Sequence, residues 1–220
     1  MTKTAADHPP IEETVTIAGN SLSILRPPSA EDLIDEDAYE RDERLPYWAE
    51  LWPSGLVLAD HISGHDLRNQ RILELGCGLG LPSLIAAYCG ASVVATDWYS
   101  ESLEFAERNA RTADLEIQTA LIDWFHPSEG SLPERAFDLI LGADLLYEER
   151  NGTALAMLIP PLLASGGEVV IADPRRPHAD ALLGPLAEAG WRLETTEVRH
   201  QGRQDESGPI VKLHRLRPGL

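Results

Sequence analysis

The chain has 220 residues, of which 43% are hydrophobic, and it carries 36 acidic against 18 basic side chains. This length suits one α/β domain with a buried core and is too short for two domains of ordinary size. The formal net charge of −18 opposes tight binding to a polyphosphate, so nucleic acid is a poor partner; a cationic substrate is favoured, unless the acidic surface only maintains solubility.

The sequence predicts neither a leader nor a membrane span. The opening residues MTKTAADHPP lack the apolar core of a signal peptide, and runs such as LPSLIAAY are much shorter than the roughly 20 residues of a membrane helix. We therefore expect a cytoplasmic location. Cys77, Cys89 and the seven histidines show neither a disulfide framework nor metal-ligand spacing, so no metal is expected.

Residues 1–44 are predicted to form an extension and residues 45–220 the main domain. The extension begins with a polar arm of about 12 residues. The following run, TVTIAGNSLSILRP, alternates apolar and polar residues around Gly19 and Asn20, which predicts a β-hairpin outside the main sheet. An acidic segment then leads to a helix that starts after Pro53 and Ser54.

From Arg71 onward, strand-like and helix-like segments alternate. The runs RILEL, SVVAT, EIQTALI, FDLILGA and EVVIA are typical of strands, and most are separated by helices, which predicts parallel pairing. The last two strand-like runs, WRLETTEVRH and PIVKLHRL, are joined by a polar loop and predict an antiparallel hairpin. The predicted fold is α/β: a Rossmann-like, seven-stranded, mostly parallel sheet with helices on both faces, a C-terminal antiparallel hairpin and the N-terminal hairpin extension.

The most informative segment is RILELGCGLGLP. In it, a strand that carries Glu74 near its end runs through Gly76, Gly78 and Gly80 into a helix. Missing Cβ atoms let the backbone approach a nucleotide-like ligand where the helix presents free N–H groups, although a tight strand-to-helix turn gives the same pattern. The GxGxG spacing differs from the dinucleotide fingerprint GxGxxG, so nicotinamide cofactors are disfavoured.

The next two strands also end in side chains suited to a nucleoside. Asp97 lies about 20 residues after the glycine loop, where a carboxylate can accept both ribose hydroxyls, although it can also cap the next helix. Asp123 and Trp124 close the following strand in LIDW. A hydrogen-bond acceptor beside a flat ring suits an adenine, with ordinary core packing as the alternative for Trp124.

The fourth segment, FDLILGADLLYE, places polar residues at the end of a buried strand. Ala143 and Asp144 end that strand and Tyr147 follows three residues later. Because ligands bind beyond the carboxyl ends of parallel strands, these side chains are expected to face the reactive end of a cofactor. Asp144 is the preferred chemical residue, and a helix cap is its alternative role.

Taken in order, ELGCGLG, ATDW, IDW and DLILGADLLY resemble the seven-β-strand methyltransferases, and in particular the protein-lysine methyltransferase family. Asp144 and Tyr147 stand where that family carries a D-x-x-Y signature. The upstream PYWAELWPSGLVLA is most similar to the branch that contains the electron-transfer-flavoprotein β-subunit lysine methyltransferase. The resemblance implies S-adenosylmethionine as cofactor, without a metal, and S-adenosylhomocysteine as product. It also adds Trp52 and Trp98 to the cofactor-binding residues, whereas Trp48 is equally explained as a hydrophobic staple.

The resemblance further implies methyl transfer to a lysine nitrogen of a protein, with Asp144 orienting the amine and Tyr147 packing against it or hydrogen-bonding to it. A small-molecule amine is an alternative acceptor on the same fold. A nucleic-acid methyltransferase is disfavoured by the charge and by ADLLY in place of an N/D-P-P-Y/F motif. A non-catalytic binding module is the alternative of another class. Asp173, Arg175 and Arg176 can simply pair with one another and receive no role.

Overall fold

The strands and helices of this computed structural model follow the alternation in the sequence. The structure describes residues 9–30, 33, 45–127, 132–201 and 207–219. Residues 1–8 of the expected arm, most of the acidic segment before residue 45 and residues 202–206 of the last predicted loop lie outside the described residues.

Within the described ranges the chain forms nine strands and five α-helices. The strands are β1 (Ile11–Ile17), β2 (Asn20–Arg26), β3 (Arg71–Leu75), β4 (Ser92–Asp97), β5 (Gln118–Leu121), β6 (Phe137–Ala143), β7 (Leu163–Asp173), β8 (Arg192–Gln201) and β9 (Ser207–Arg217). The helices are α1 (Pro53–Ser63), α2 (Leu81–Tyr88), α3 (Ser100–Thr112), α4 (Glu149–Leu162) and α5 (Asp180–Glu188), and a 3-10 turn spans Tyr47–Ala49. α1 begins at a proline, whose fixed φ suits the first helical position.

The main sheet has seven strands in the order β5-β4-β3-β6-β7-β9-β8. Pairing is parallel from β5 through β7, and β9 runs antiparallel to both β7 and β8. The chain builds outward from β3 in one direction and then returns to add β6 on its other side. Ligands bind beyond the carboxyl ends of the strands at such a switch point, so the topology directs attention to the β3–β6 junction.

The alternation of side chains along the strands gives the sheet two buried faces. Ile72 and Leu141 pack with α1 and α2 on one face, while Leu73 and Ile140 pack with α4 and α5 on the other. These two layers confirm the predicted α/β sandwich with helices on both faces.

The predicted N-terminal hairpin is confirmed as a separate two-stranded sheet, β1 with β2, which packs onto the α1 side of the core. Three local boundaries differ from the prediction. β5 ends at Leu121, so Asp123 and Trp124 follow the strand instead of closing it. β7 starts at Leu163, five residues before the EVVIA run, and β8 and β9 extend into the predicted polar loop. None of the helices that the structure describes has the length and apolarity needed to cross a membrane.

Candidate functional site

A cavity of about 300 Å³ opens at the carboxyl ends of β3, β4 and β6, at the topological switch point. Eleven of the twelve residues expected at the site line it: Trp52, Glu74, Gly76, Gly78, Asp97, Trp98, Asp123, Trp124, Ala143, Asp144 and Tyr147. The fold therefore collects side chains from five separate segments of the sequence around one space.

The glycine loop between β3 and α2 forms the floor of this cavity. Gly76 and Gly78 have φ angles of 63° and 53°, a left-handed conformation that favours glycine. A Cβ on Gly76 would lie 2.7 Å from Leu145 Cδ2, and one on Gly78 would lie 3.2 Å from the Trp48 carbonyl oxygen. The glycines are thus required by the turn and by close packing of the loop against neighbouring residues.

Gly80 corrects one expectation, because it does not line the cavity. Its φ is 84°, it stands at the N-terminal cap of α2, and a Cβ would lie 2.9 Å from Ala106 Cβ of α3. A left-handed turn and the close approach of α3 therefore explain the glycine at this position.

Glu74 is buried behind the glycine loop. Its Oε2 accepts hydrogen bonds from the backbone N–H and the hydroxyl of Ser83, at 2.9 and 2.5 Å. Burial raises the pKa of Glu74 to about 8, and the nearby Asp97 adds to the rise, while the hydrogen bonds from Ser83 oppose it. The carboxyl therefore keeps its proton to a higher pH than an exposed glutamate does.

Asp97 is also buried, and its two oxygens serve different segments. Oδ2 accepts the N–H of Gly78 at 2.9 Å, and Oδ1 accepts the N–H of Tyr99 at 3.1 Å, just before α3. The side chain therefore orders the turn before α3, whose N-cap is Tyr99, and it also lies on the cavity wall. Contact of Asp97 with a ribose stays a prediction. Burial raises the pKa of Asp97, and the backbone hydrogen bonds oppose that shift.

Asp123 and Trp124 form the wall beyond β5. Asp123 Oδ1 accepts the N–H of Phe125 at 2.9 Å, and Oδ2 lies 3.1 Å from His126 Nδ1. The indole of Trp124 packs over Gly76, and its Nε1–H is buried with no acceptor in the part of the chain that the structure describes. This buried donor is therefore available to an acceptor outside the described residues, such as a water molecule or a ligand.

Asp144, on the opposite wall, is tied to a residue that the sequence left without a role. Its Oδ1 accepts a hydrogen bond from Arg176 Nε at 2.7 Å, in an ion pair that spans 32 residues. Asp144 has a left-handed φ of 58°, a conformation that aspartate tolerates better than most residues. Glu148 is the N-cap of α4, so Asp144 does not cap that helix. Arg175 pairs instead with Glu197, at 2.8 Å.

Aromatic rings surround the mouth of the cavity near Asp144. The ring centroid of Tyr47 lies 5.4 Å from that of Tyr147 and 6.0 Å from that of Trp52, both edge-on. The Trp52 indole donates to the Tyr47 carbonyl oxygen at 2.8 Å. Trp48 is buried against Phe105, with centroids 5.6 Å apart, and has a core role in addition to lining the cavity. Tyr47 and Arg176 are two of the lining residues that sequence reasoning did not assign to the site, although Tyr47 lies in the PYW segment.

These residues fit a nucleoside-methionine cofactor. Asp97 and Asp123 supply acceptors, Trp124 supplies a flat ring and a donor without a partner among the described residues, and Gly76 and Gly78 line the cavity. Among the residues that the structure describes, no group of three or more His, Cys, Asp or Glu side chains is placed to hold a metal ion.

Comparison with known proteins gives a consistent result. A sequence profile described as lysine methyltransferase matches residues 40–183. The protein N-lysine methyltransferase METTL21A of Danio rerio is 32% identical over 74% of this chain and 76% of that protein. The histone-arginine methyltransferase METTL23 of Xenopus laevis is 32% identical over 48% of this chain and 47% of that protein. The electron transfer flavoprotein beta subunit lysine methyltransferase of Danio rerio is 31% identical over 60% of this chain and 51% of that protein. The chain thus spans about half the length of the last two relatives.

Solved structures extend the likeness to the fold. The 16S rRNA N2 G1207 methyltransferase RsmC of T. thermophilus, in complex with AdoMet and guanosine, superposes with a TM-score of 0.68 at 17% identity, covering 95% of this chain and 50% of that one. At this identity the likeness shows the fold alone.

Proposed function

The chain belongs to the lysine methyltransferase family and is a methyltransferase that uses S-adenosylmethionine, and on this premise we propose that it methylates the ε-amino group of a lysine in a protein. The observation that carries the proposal is the buried carboxylate of Asp144, which lies beside the aromatic mouth of the cavity. An acceptor for N–H groups next to electron-rich ring faces suits an alkylamine.

Different residues around the cavity would hold different parts of the cofactor. Asp97 would hold the ribose hydroxyls, and Asp123 with Trp124 would hold the adenine. Ala143 ends β6 beside Asp144 and would lie at the reactive end of the cofactor, while Trp52 and Trp98 would cover it from the mouth. Glu74, Gly76 and Gly78 would form the floor below the cofactor.

The chemistry requires a neutral amine. When bound, S-adenosylmethionine supplies a methyl group on a positively charged sulfur, and the sulfur keeps the electron pair of the S–C bond that breaks. The lysine ammonium first releases one proton to water; the neutral nitrogen then forms the new N–C bond with its lone pair, and the product is a methylammonium. A lysine has an ordinary pKa near 10.4, so its ammonium form must lose a proton before it can attack.

The protein's contribution is mainly positioning. Asp144 would accept a hydrogen bond from the lysine amine, so that the lone pair of the nitrogen points into the cavity. Tyr147 would pack against the side chain of that lysine. Correct alignment of two reactants in a site can be worth about 7 to 11 kcal/mol. Desolvation at the aromatic mouth would also favour the neutral amine.

The acceptor is proposed to be a cytoplasmic protein with a cationic segment, which the net charge of −18 would attract. The test is incubation of the enzyme with tritiated S-adenosylmethionine and a lysate of the source cell lacking this gene, followed by gel fluorography and peptide mass spectrometry. We expect a labelled protein band with the methyl group on lysine. Label on arginine, or only in the small-molecule fraction, would overturn the lysine assignment.

A matched pair of variants tests the role of Asp144 in the same assay. D144N removes the carboxylate charge at the cavity, and E149Q removes one from the exposed start of α4. We expect D144N to lower the rate by about 100-fold, the loss that a misplaced reactant can cause, while E149Q labels at the wild-type rate. Full turnover by a D144N protein that binds cofactor normally would show that this role is wrong.

A further inference from the structure

Arg176 and Asp144 form an ion pair at the wall of the cavity. Asp144 follows β6 and Arg176 follows β7, so two neighbouring strand ends deliver the partners. The side chain of Asp144 is 7% exposed and that of Arg176 is 35% exposed. The hydrogen bond to Asp144 raises the pKa of Arg176, which therefore stays charged at every working pH.

Arg176 is held in place by more than its side chain. Both carboxylate oxygens of Asp173 lie within reach of the Arg176 backbone N–H, at 3.2 and 3.1 Å. Asp173 is fully buried and has His214 of β9 behind it, 3.9 Å away. The preceding residue, Arg175, adopts a left-handed φ of 68°, which turns the chain back at this point. The backbone of the β7–α5 connection thus fixes the position of Arg176 beside Asp144.

The charge of this pair matters for an amine substrate. An uncompensated carboxylate beside an amine favours the charged ammonium, commonly by one to three pKa units, and the ammonium cannot attack. A carboxylate that is already paired with a guanidinium presents little net charge, yet it retains lone pairs for a further hydrogen bond.

Resting on the function proposed above, we infer that Arg176 is a positioning residue that cancels the charge of Asp144. Asp144 then accepts a hydrogen bond from the incoming amine without holding it in the protonated form. The other charged or titratable side chains that line the cavity or touch the pair are Tyr47, Glu50, Glu74, Cys77, Asp97, Tyr99, Asp123, Tyr147, Glu148, Arg150 and Asp173. These side chains are the same in wild type and in every variant below, so their effect on the pH dependence of the rate cancels when the profiles are compared.

The test measures the initial rate of tritium transfer to lysate protein from pH 6 to pH 10 at saturating S-adenosylmethionine. It compares wild type with R176Q or R176M, with the charge-preserving R176K, and with R175Q. R175Q removes the same charge one residue away, from an exposed pair with Glu197. Only variants with wild-type circular dichroism and cofactor affinity enter the comparison.

In R176Q or R176M, the pH at which the rate reaches half its maximum should rise by about one unit, because the substrate amine loses its proton at a higher pH. The rate at pH 7 should be about tenfold lower than that of wild type, and it should recover at high pH. R176K and R175Q keep the wild-type midpoint. If the midpoint is unchanged in R176Q and R176M while D144N is slowed about 100-fold as expected, this inference is overturned and the proposed function still stands. A wild-type enzyme that labels no protein overturns the proposed function, and the inference falls with it.

A second readout does not depend on turnover. The melting temperature of the enzyme with S-adenosylhomocysteine is measured at pH 7 with and without n-butylammonium chloride, with sodium chloride at equal ionic strength as the reference. In R176Q, the unpaired Asp144 should bind the ammonium, so the added amine raises the melting temperature by more than it does in wild type. An increase no larger than that of wild type contradicts the inference.

Discussion

The side chain of Asn109 on α3 forms two hydrogen bonds with the backbone of Leu25 on β2. Asn109 Oδ1 accepts the Leu25 N–H at 2.7 Å, and Nδ2 donates to the Leu25 carbonyl oxygen at 3.1 Å. The same Nδ2 donates to the Leu79 carbonyl oxygen at 3.0 Å. One buried amide therefore links the N-terminal hairpin, α3 and the glycine loop that forms the floor of the cavity.

Replacing Asn109 with alanine should lower the free energy of unfolding by about 2–4 kcal/mol, since each buried polar group left without a partner costs about 1–3 kcal/mol. Urea unfolding followed by circular dichroism measures this change. E104A, at an exposed position of the same helix, is the control and should lie within about 0.5 kcal/mol of wild type. A loss below about 1 kcal/mol for N109A would show that the hairpin is held by apolar packing alone.

Gly80 and Gly19 form a second matched pair. Both have left-handed backbones, with φ of 84° and 81°, but only Gly80 has a neighbour that a Cβ would meet, at 2.9 Å. G19A should cost about 1–2 kcal/mol from backbone strain alone. G80A should cost about 1–3 kcal/mol more, because α3 must move to relieve the contact. Equal losses in the two variants, measured by urea unfolding, would remove the packing explanation for Gly80.

Glu74 predicts a dependence of stability on pH. Its pKa is raised from 4.5 to about 8 in the folded protein. Between these values the folded state binds more protons than the unfolded state, so the free energy of unfolding falls as the pH rises. E74Q removes this dependence while keeping an oxygen to accept from Ser83.

From pH 5 to about pH 9, the free energy of unfolding of E74Q should therefore rise relative to that of wild type, and above about pH 9 the difference should be constant. Asp97 is present in both proteins, so its own titration largely cancels. Urea titrations at pH 5, 6.5, 8 and 9 give the comparison, with E104Q as an exposed control on α3. If the free energies of unfolding of E74Q and wild type change with pH in parallel, the pKa of Glu74 is not raised by folding.

Most of the fold follows from local sequence patterns. The order of the last two strands in the sheet does not. Alternating strands and helices predict parallel pairing, and the structure confirms it. The insertion of β9 between β7 and β8 could not be read in this way, because the two last strands carry similar patterns and either could pair with β7. Their order depends on which strand buries its apolar side chains against the core.

The site divides in the same way. Glu74, Asp97 and Asp144 could be predicted because each stands at or next to a strand end, and parallel strand ends converge at one edge of a sheet. Arg176 could not, because its pairing depends on the left-handed turn at Arg175 and on the hydrogen bonds to Asp173. Gly80 was assigned to the ligand because a glycine pattern does not reveal what packs on it.

The central claim is that the cavity at the carboxyl edge of the sheet binds S-adenosylmethionine through the glycine loop and Asp97. Isothermal titration calorimetry with wild type, D97A and E104A tests it most directly. We expect wild type to bind one molecule of cofactor per chain. A folded D97A protein should bind it at least about tenfold more weakly, since a hydrogen bond to a charged group contributes about 1.5–3 kcal/mol. E104A should bind it with unchanged affinity. Wild-type protein that shows no binding at high micromolar cofactor, or D97A that binds as tightly as wild type, would contradict the account.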